Sequence, residues 1–440
     1  MRRTLVTSAG WLSSLALAGA LFVLGALGPF RPGLPSSAPK GASGPVRQAL
    51  EGLPAPGEIA ALQERARRNP RDPKALSALA IAYVQEYRRT QDPSYLSKAA
   101  GLTRKARALD PDDGLALLAG GIVANTQHRF ARGLELGRAA RDALPYATEP
   151  LGLIADSLIE LGHYRRAEAV IQDMVSMRPD LASYSRASYI SELFGRTRPA
   201  VGALRAALAS VPVTSPEAAW VRSQLGDLYV NLGRPSPALE MYADALALVP
   251  GFAPAEAGRA RVLAARGQRE RSIDLLSRLV ERFPSVPYAA ELAELLVAEG
   301  RTGEAEGIVD LIDAQRRLLE ASGVLPDVEL TLFYADRSIA PAATLRLARA
   351  QYRARPSSIR TQDALAWALS AAGRHGEALA LIKRALRLGT RDPLLHYHAG
   401  VIADRAGKDR VADRHLRRAL SLSRWFSAVK VERARELLRR

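Results

Sequence analysis

Three groups of side chains have the types that chemistry uses, and spacing decides what each can do. His396 and His398 are the closest histidine pair. Two residues apart on a helix, their rings leave in different directions, so they are poorly placed to share a metal ion, which favours an i, i+4 pair. The second group is the C-terminal run Arg405, Lys408, Arg410, Arg414, Arg417, Arg418 and Arg424. Such a run attracts the phosphates of lipid headgroups or nucleic acid, with an affinity that falls steeply with salt. Arg410, Arg414, Arg417 and Arg418 are therefore a candidate anionic-ligand surface, with a plain solvated helix face as the other reading. The third group, the carboxylates, recurs at helical spacings. No arrangement used in catalysis accompanies them: there is no G-x-x-x-x-G-K-[ST] loop, no G-x-G-x-x-G, no G-x-S-x-G elbow and no H-E-x-x-H. The expectation is a non-enzymatic chain with no cofactor and no metal.

The elements that position these groups are helices. Aromatics make up only 6% of the 440 residues, Ala, Leu and Arg dominate, and few runs are β-branched; an all-α fold follows. Cysteine is absent, which excludes disulfides, cysteine-ligated zinc and a lipidated N-terminal cysteine. The net charge of +17 sits at the ends: residues 1–72 carry +5, residues 383–440 carry +10, and the long middle only +2. That near-neutral middle disfavours a nucleic-acid partner for the chain as a whole.

After Arg2 and Arg3 no charge appears until Arg31, and the apolar stretch from Trp11 to Phe30 is long enough as a helix, about 30 Å, to span a bilayer core. Residues 1–30 read as an uncleaved signal anchor, with a cleaved signal peptide as the rival. The small-x-small sites at Ala16/Ala18 and Ala18/Ala20 would leave further apolar residues at the new end. The short basic N-terminus should stay inside and the remainder cross, placing it outside the cytoplasmic membrane, periplasmic or extracellular. Residues 31–57, with Pro32, Pro35, Pro39, Pro45, Pro54 and Pro56, form a semi-extended Pro/Gly/Ser-rich linker.

Helical periodicity begins near Glu58 and continues as a repeat. Pro111, Pro145 and Pro179 are thirty-four apart, as are Pro250 and Pro284, Gly233 and Gly267, Gly373 and Gly407, and Ala378 and Ala412. The clearest copy, Ala219 to Pro250, carries Leu225, Gly226 and Tyr229 on one helix and Ala238, Tyr242 and Ala245 on the next. Small residues sit where helices approach closely, and the proline ends the unit because it lacks an N–H. Repeats are expected near 73–111, 114–147, 148–180, 181–213, 219–252, 253–285, 286–321, 324–357, 359–392 and 393–426, with Tyr87 to Pro93 as a lengthened loop inside the first and an insertion at Val211 to Pro216. Residues 427–440 read as a basic C-terminal capping helix.

This order of large, Leu, Gly, Tyr, then Ala, aromatic, Ala and Pro over thirty-four residues resembles the tetratricopeptide repeat, of a bacterial exported or membrane-anchored type. The resemblance covers residues 58–426. It implies a right-handed α-solenoid of about ten helix-turn-helix repeats whose first helices line a concave groove for a peptide or protein partner, as in a scaffold or adaptor of envelope assembly. A polyanion binder acting through the basic C-terminal repeats is the alternative.

The resemblance also implies which positions of each first helix face the groove. On this register they are Glu149, Asp156, Glu160, Glu192, Asp227, Glu294, Asp336, Asp363 and Asp404 against Lys74, Arg261, Arg360 and Arg405, an acidic concave face. Tyr189, Trp220, Trp367 and Tyr397 add aromatic anchors, Asn125 and Asn231 add amides, and Ser223 adds a hydroxyl. No basic clamp for a C-terminal carboxylate is evident. The partner-binding candidates are Asn125, Asp156, Glu160, Tyr189, Trp220, Ser223, Asp227, Asn231, Glu294, Asp363, Trp367 and Tyr397.

Overall fold

The computed structural model describes residues 59–440, and all its regular structure there is helical. The anchor expected at 1–30 and the linker at 31–57 lie outside the described residues. Among the described residues no helix is long and apolar enough to cross a membrane.

A short helix, α1 (Ile59–Arg68), leads into consecutive helix pairs. Pair one is α2 (Pro73–Thr90) with α3 (Ser94–Leu109), and pair two is α4 (Gly114–Thr126) with α5 (Phe130–Ala143). Pair three is α6 (Glu149–Glu160) with α7 (Tyr164–Met177), and pair four is α8 (Leu181–Leu193) with α9 (Thr197–Ala209). Pair five is α10 (Pro216–Asn231) with α11 (Pro235–Leu248), and pair six is α12 (Ala253–Ala265) with α13 (Arg269–Arg282). Pair seven is α14 (Val286–Ala298) with α15 (Thr302–Ala321), and pair eight is α16 (Val328–Asp336) with α17 (Pro341–Ala354). Pair nine is α18 (Ile359–Ala371) with α19 (His375–Ala385), and pair ten is α20 (Pro393–Arg405) with α21 (Asp409–Leu422). A final helix, α22 (Ala428–Leu437), follows.

Local chemistry sets these boundaries. Asp72, Asp113, Asp180 and Asp392 cap α2, α4, α8 and α20 through their carboxylates, satisfying N–H groups that have no partner inside the helix. Proline occupies the first turn of many helices, where its missing N–H costs nothing. Between the two helices of each pair one residue adopts the left-handed region. Glycine supplies it at 162, 195, 233, 267, 300, 373 and 407, while Gln91, His128 and Ser338 take it without that freedom. The glycine spacing of the sequence is thus the spacing of intra-pair turns. Of the lengthened loop expected at Tyr87 to Pro93, Tyr87 to Thr90 is helix and only residues 91–93 form the connection. Glu86, Tyr87, Arg88 and Arg89 are tolerated in a helix, Glu86 pairs with Arg89, and Pro93 prevents the helix from running on.

First and second helices of a pair are buried differently. α4 buries nearly every residue, whereas α11 buries only Ala238, Tyr242 and Ala245. First helices pack against their own partner and, through most of the array, against the first helices of neighbouring pairs, while second helices keep an outer face in water. The Tyr242 ring lies against two glycines: a Cβ on Gly226 or Gly258 would stand 2.4 or 2.2 Å from it.

The array also packs on itself. Turns of pairs two to five meet turns almost 200 residues later. Leu325 N–H donates to the Gln127 carbonyl at 3.2 Å, and Tyr164 Oη accepts from Ile359 N–H at 2.9 Å across 195 positions. Thr390 Oγ1 donates to the Leu193 carbonyl at 2.5 Å across 197 positions, and Ser423 Oγ to the Val230 carbonyl across 193. One core cluster accordingly joins Ile154, Leu158 and Ile190 with Trp367, Leu369 and Tyr397. The superhelix completes a turn and closes along a seam, so its inner surface becomes the wall of a bore.

Candidate functional site

The first helices that form the concave face carry side chains that reach from one pair to the next. Asp156 accepts from Arg186 Nε and Nη2 at 2.8 and 2.7 Å. Asp227 accepts from Tyr242 Oη at 2.7 Å and Arg261 Nη1 at 3.2 Å, and Arg261 also pairs with Glu291. Glu329 pairs with Arg360, Trp367 Nε1 donates to Asp336 at 2.8 Å, His398 Nδ1 lies 2.9 Å from Asp363, and Arg405 donates to Ser370 Oγ at 3.2 Å. Apart from the Tyr242 bond, each link spans 30–35 positions, one repeat. The face expected to be acidic is therefore largely compensated. Arginines of the adjacent pair neutralise most of the carboxylates, and these links, with the bonds made by His398 and Trp367, hold successive pairs in register.

The bore holds an 840 Å³ cavity, within the size range of ligand sites. Its wall includes Tyr189 and Glu192 from α8, Asn231 from α10, Glu294 and Val297 from α14, and Leu332 and Asp336 from α16. Asp363 and Trp367 from α18, and Tyr397, Val401 and Asp404 from α20, complete the far side. The aromatic rings are themselves braced: Trp367 stacks on His398 with centroids 4.3 Å apart, and the Arg405 guanidinium lies 5.5 Å from the Trp367 ring centroid.

α22 closes one side of the cavity. Lys430 pairs with Glu294 and stands 3.2 Å from Asp336, while Ser427 Oγ donates to Glu294 at 3.0 Å. Val431, Ala434 and Leu437 are buried. The segment expected as a solubilising cap thus inserts a lysine between two wall carboxylates.

Glu192 differs from most wall carboxylates in forming no ion pair among the described residues. Burial, then the like charges of Asp227 and Asp392, push its carboxyl up to about 8, so at neutral pH it is mainly a neutral acid able to donate. Asp404 also faces the cavity without an ion pair among the described residues.

Of the twelve candidate residues, Tyr189, Asn231, Glu294, Asp363, Trp367 and Tyr397 are brought together on this wall. The others are placed elsewhere. Asn125 is fully buried, donates to Ser157 Oγ at 2.9 Å and borders a separate 170 Å³ cavity. Asp156, Glu160 and Ser223 are buried and spent on packing contacts, Glu160 on Arg355 at 2.7 Å and Ser223 on the Ala219 carbonyl at 3.1 Å. Asp227 belongs to the inter-pair ladder. Trp220 is half-buried beside the Leu225 core group and off the wall. Asn125, Asp156 and Glu160 belong to pairs two and three, whose concave positions face the seam or a neighbouring pair. Trp220, Ser223 and Asp227 of pair five are taken up by their own helix, their own pair and the next one. The positions that line the bore come from pair four onward. Sequence reasoning missed Lys430 and Arg433, which no repeat register predicts, and the ladder. An acid followed 30–35 positions later by arginine or histidine was its signal.

Arg410, Arg414, Arg417 and Arg418 are all exposed on α21, and among the described residues Arg417 pairs with Asp413 at 3.5 Å. His396 and His398 do diverge: His398 goes to Asp363, and His396 Nδ1 meets His415 Nδ1 at 3.1 Å. Burial, then His415 and Arg418, push His396 down to about 4, and burial, then Arg414, lowers His415, which favours the uncharged rings. Among the described residues no group of three or more metal-ligating side chains is assembled.

No family model matches the chain, and no curated protein matches its sequence. Among solved structures it is similar to a thermophilic TPR protein of Thermus thermophilus, at 24% identity and TM-score 0.34 over 38% of this chain and 88% of that one. It is similar to Pseudomonas aeruginosa pilF at 18% identity and TM-score 0.37, over 50% of this chain and 96% of that one. It is also similar to a human IFIT1 dimer with m7Gppp-AAAA, at 16% identity and TM-score 0.45 over 75% and 76% of the two chains. These likenesses go no further than the helical-repeat architecture.

Proposed function

We propose that the chain is a non-enzymatic tetratricopeptide-type scaffold that receives a polypeptide segment in the bore of its closed superhelix. The observation that carries this reading is the seating of α22. One polypeptide segment already lies against the wall, held by an amine between Glu294 and Asp336 and by apolar side chains, and 840 Å³ remains open beside it. The open part is lined by the largely buried rings of Tyr189, Trp367 and Tyr397, the Asn231 amide, and the carboxyls of Glu192 and Asp404, a set suited to a peptide backbone and apolar side chains of low net charge.

The test is selection of peptides from a displayed random library on the full chain, followed by calorimetric titration. A Val297→Arg variant fills the bore from an exposed wall position. One-to-one binding weakened at least about tenfold by this change, the effect of roughly 1.4 kcal/mol, supports the reading. Failure to select any binder, or equal affinity in the variant, overturns it.

The apolar stretch at 11–30 and the proline-rich segment to residue 57 support a membrane-tethered topology with the repeats outside the cytoplasmic membrane, in envelope assembly or as an adaptor. A reporter active only outside that membrane, fused after residue 60, should be active; a silent fusion beside an active cytosolic one reverses the topology. The second reading, a polyanion binder, is favoured by the exposed arginines of α21. It requires binding to heparin or single-stranded nucleic acid that weakens with salt and is lost when those four arginines become glutamine.

A further inference from the structure

The two edges that meet along the seam each continue, unpaired, at opposite ends of the array. Inside the chain, the intra-pair turns of pairs two to five dock on the inter-pair turns that follow pairs seven to ten. Backbones touch there: a Cβ on Gly162 would stand 2.1 Å from the Ser357 carbonyl carbon, and one on Gly195 would stand 2.4 Å from the Gly389 oxygen. The docked inter-pair turns bury Ser358, Thr390 and Ser423 to 1, 8 and 2% exposure. Left over are the inter-pair turns after pairs one to four and the intra-pair turns of pairs seven to ten.

These leftover edges have the properties of unfinished packing. Leu109, Tyr146, Met177 and Val213 stand on the free inter-pair edge, exposed by 41, 72, 47 and 67%. They are four of the seven large apolar side chains exposed among the described residues, one from each of four successive pairs, and so form a row where scattered exposure would be unremarkable. Asp110 and Asp112 on the same edge form no ion pair among the described residues. On the free intra-pair edge, nothing lies within 4 Å of a Cβ built on Gly300, Gly373 or Gly407, so the close backbone approach made at Gly162 and Gly195 is open there. Lys408 and Arg410 beside it carry no ion pair among the described residues. In the register of the internal seam, Asp110 and Asp112 at pair one lie opposite the pair-seven turn that carries Arg301, while Lys408 and Arg410, with Asp409 between them, lie opposite the apolar turn that carries Val213. A row of exposed apolar side chains thus meets a row of open-backboned turns.

We propose that a second copy of this chain docks head to tail, the intra-pair edge of pairs seven to ten on the inter-pair edge of pairs one to four. The contact repeats, between molecules, the turn-on-turn packing of the internal seam. It joins two different surfaces at opposite ends of the superhelix axis, so each added copy leaves one edge of each kind free and the copies build an open stack. α22 reaches the pair-seven turn through Arg269, which pairs with both Glu299 and Glu432, while Gly300, Ser338, Gly373 and Gly407 stay exposed.

Sedimentation velocity of the full chain in mild detergent, over a wide concentration range at low salt, tests this with two double variants. One places Tyr146→Lys and Val213→Lys on the inter-pair edge; the other places Lys408→Glu and Arg410→Glu on the intra-pair edge. All four positions are exposed, and unchanged thermal unfolding confirms that the variants fold. Wild type is expected to form a series of species that lengthens with concentration, and each double variant alone to remain monomeric. An equimolar mixture retains one intact edge on each partner and should yield dimers and nothing larger. A wild type that stays monomeric throughout, a closed dimer indifferent to both sets of changes, or a mixture that does not dimerise overturns the proposal.

Discussion

Arg355 and Glu160 stand 195 positions apart and meet at 2.7 Å, both almost wholly buried. The same guanidinium reaches Asp327 at 2.8 Å and lies 5.0 Å over the Phe130 ring. One side chain thereby ties pair eight to pairs two and three. Burial still pushes Glu160 up to about 7, whereas the cations around Asp327 hold its carboxyl well below the usual range. The seam rests on a buried charge group whose balance depends on the arginine.

Arg355→Met should therefore destabilise the fold by about 3–5 kcal/mol, since it leaves two carboxylates buried without their shared cation. Glu160→Gln, which keeps the Arg355–Asp327 pair, should cost about 1–2 kcal/mol. Denaturant unfolding reads both. Small-angle X-ray scattering of Arg355→Met should show a larger radius of gyration if the seam opens before the pairs unfold; equal stability of the two variants would place the burden elsewhere.

Turn glycines should separate into two classes. Gly162 and Gly373 share the left-handed region, at φ +82° and +77°, but only Gly162 faces partner backbone. Gly373→Ala should cost about 1–2 kcal/mol from backbone strain alone. Gly162→Ala must also displace the Ser357 turn and should lower the melting temperature clearly further. Identical shifts would mean that the seam yields freely.

Ser338 is exposed and holds φ +53° where most pairs have glycine. Ser338→Gly relieves that strain, partly offset by the freer unfolded chain, for a net gain of roughly 0.5–1 kcal/mol. Thermal melts should shift upward; a downward shift would show that the serine makes a contact worth more than the strain.

Glu192 sets a pH dependence. Its folded value of about 8 lies above the ordinary carboxylate value, so the folded chain binds this proton more tightly than the unfolded chain. Its stabilising contribution is complete below about pH 4.5 and is lost as pH rises towards 8. Glu192→Gln should match wild type near pH 4 and exceed it by about 1–2 kcal/mol at pH 8, a figure reduced for the water that reaches the half-buried carboxyl. Parallel stability curves for the two proteins would contradict the raised value.

Much of this molecule is legible in its residue order because a helix pair is a local object. Gly233 and Gly267, thirty-four apart, mark turns; Gly226 and Tyr242 mark a close helix contact; Asp72-Pro73 marks a helix start. Each depends on residues within about one repeat, and each appears at its expected place. The run from Tyr87 to Arg89 shows the limit even locally, since an insertion can lengthen a loop or a helix and only packing chooses.

The bore and the seam belong to tertiary structure. The small rotation between successive pairs is nearly invisible in any one of them, yet summed over almost 200 residues it brings Tyr164 to Ile359 and Leu193 to Thr390. That sum decides which concave positions face open space. Tyr189, Trp367 and Tyr397 line a cavity, while Asp156 and Glu160, on equivalent positions, are sealed against Arg186 and Arg355. Repeat register is periodic along the chain, whereas exposure is set by what lies across one superhelical turn, and no spacing within a repeat carries that distance.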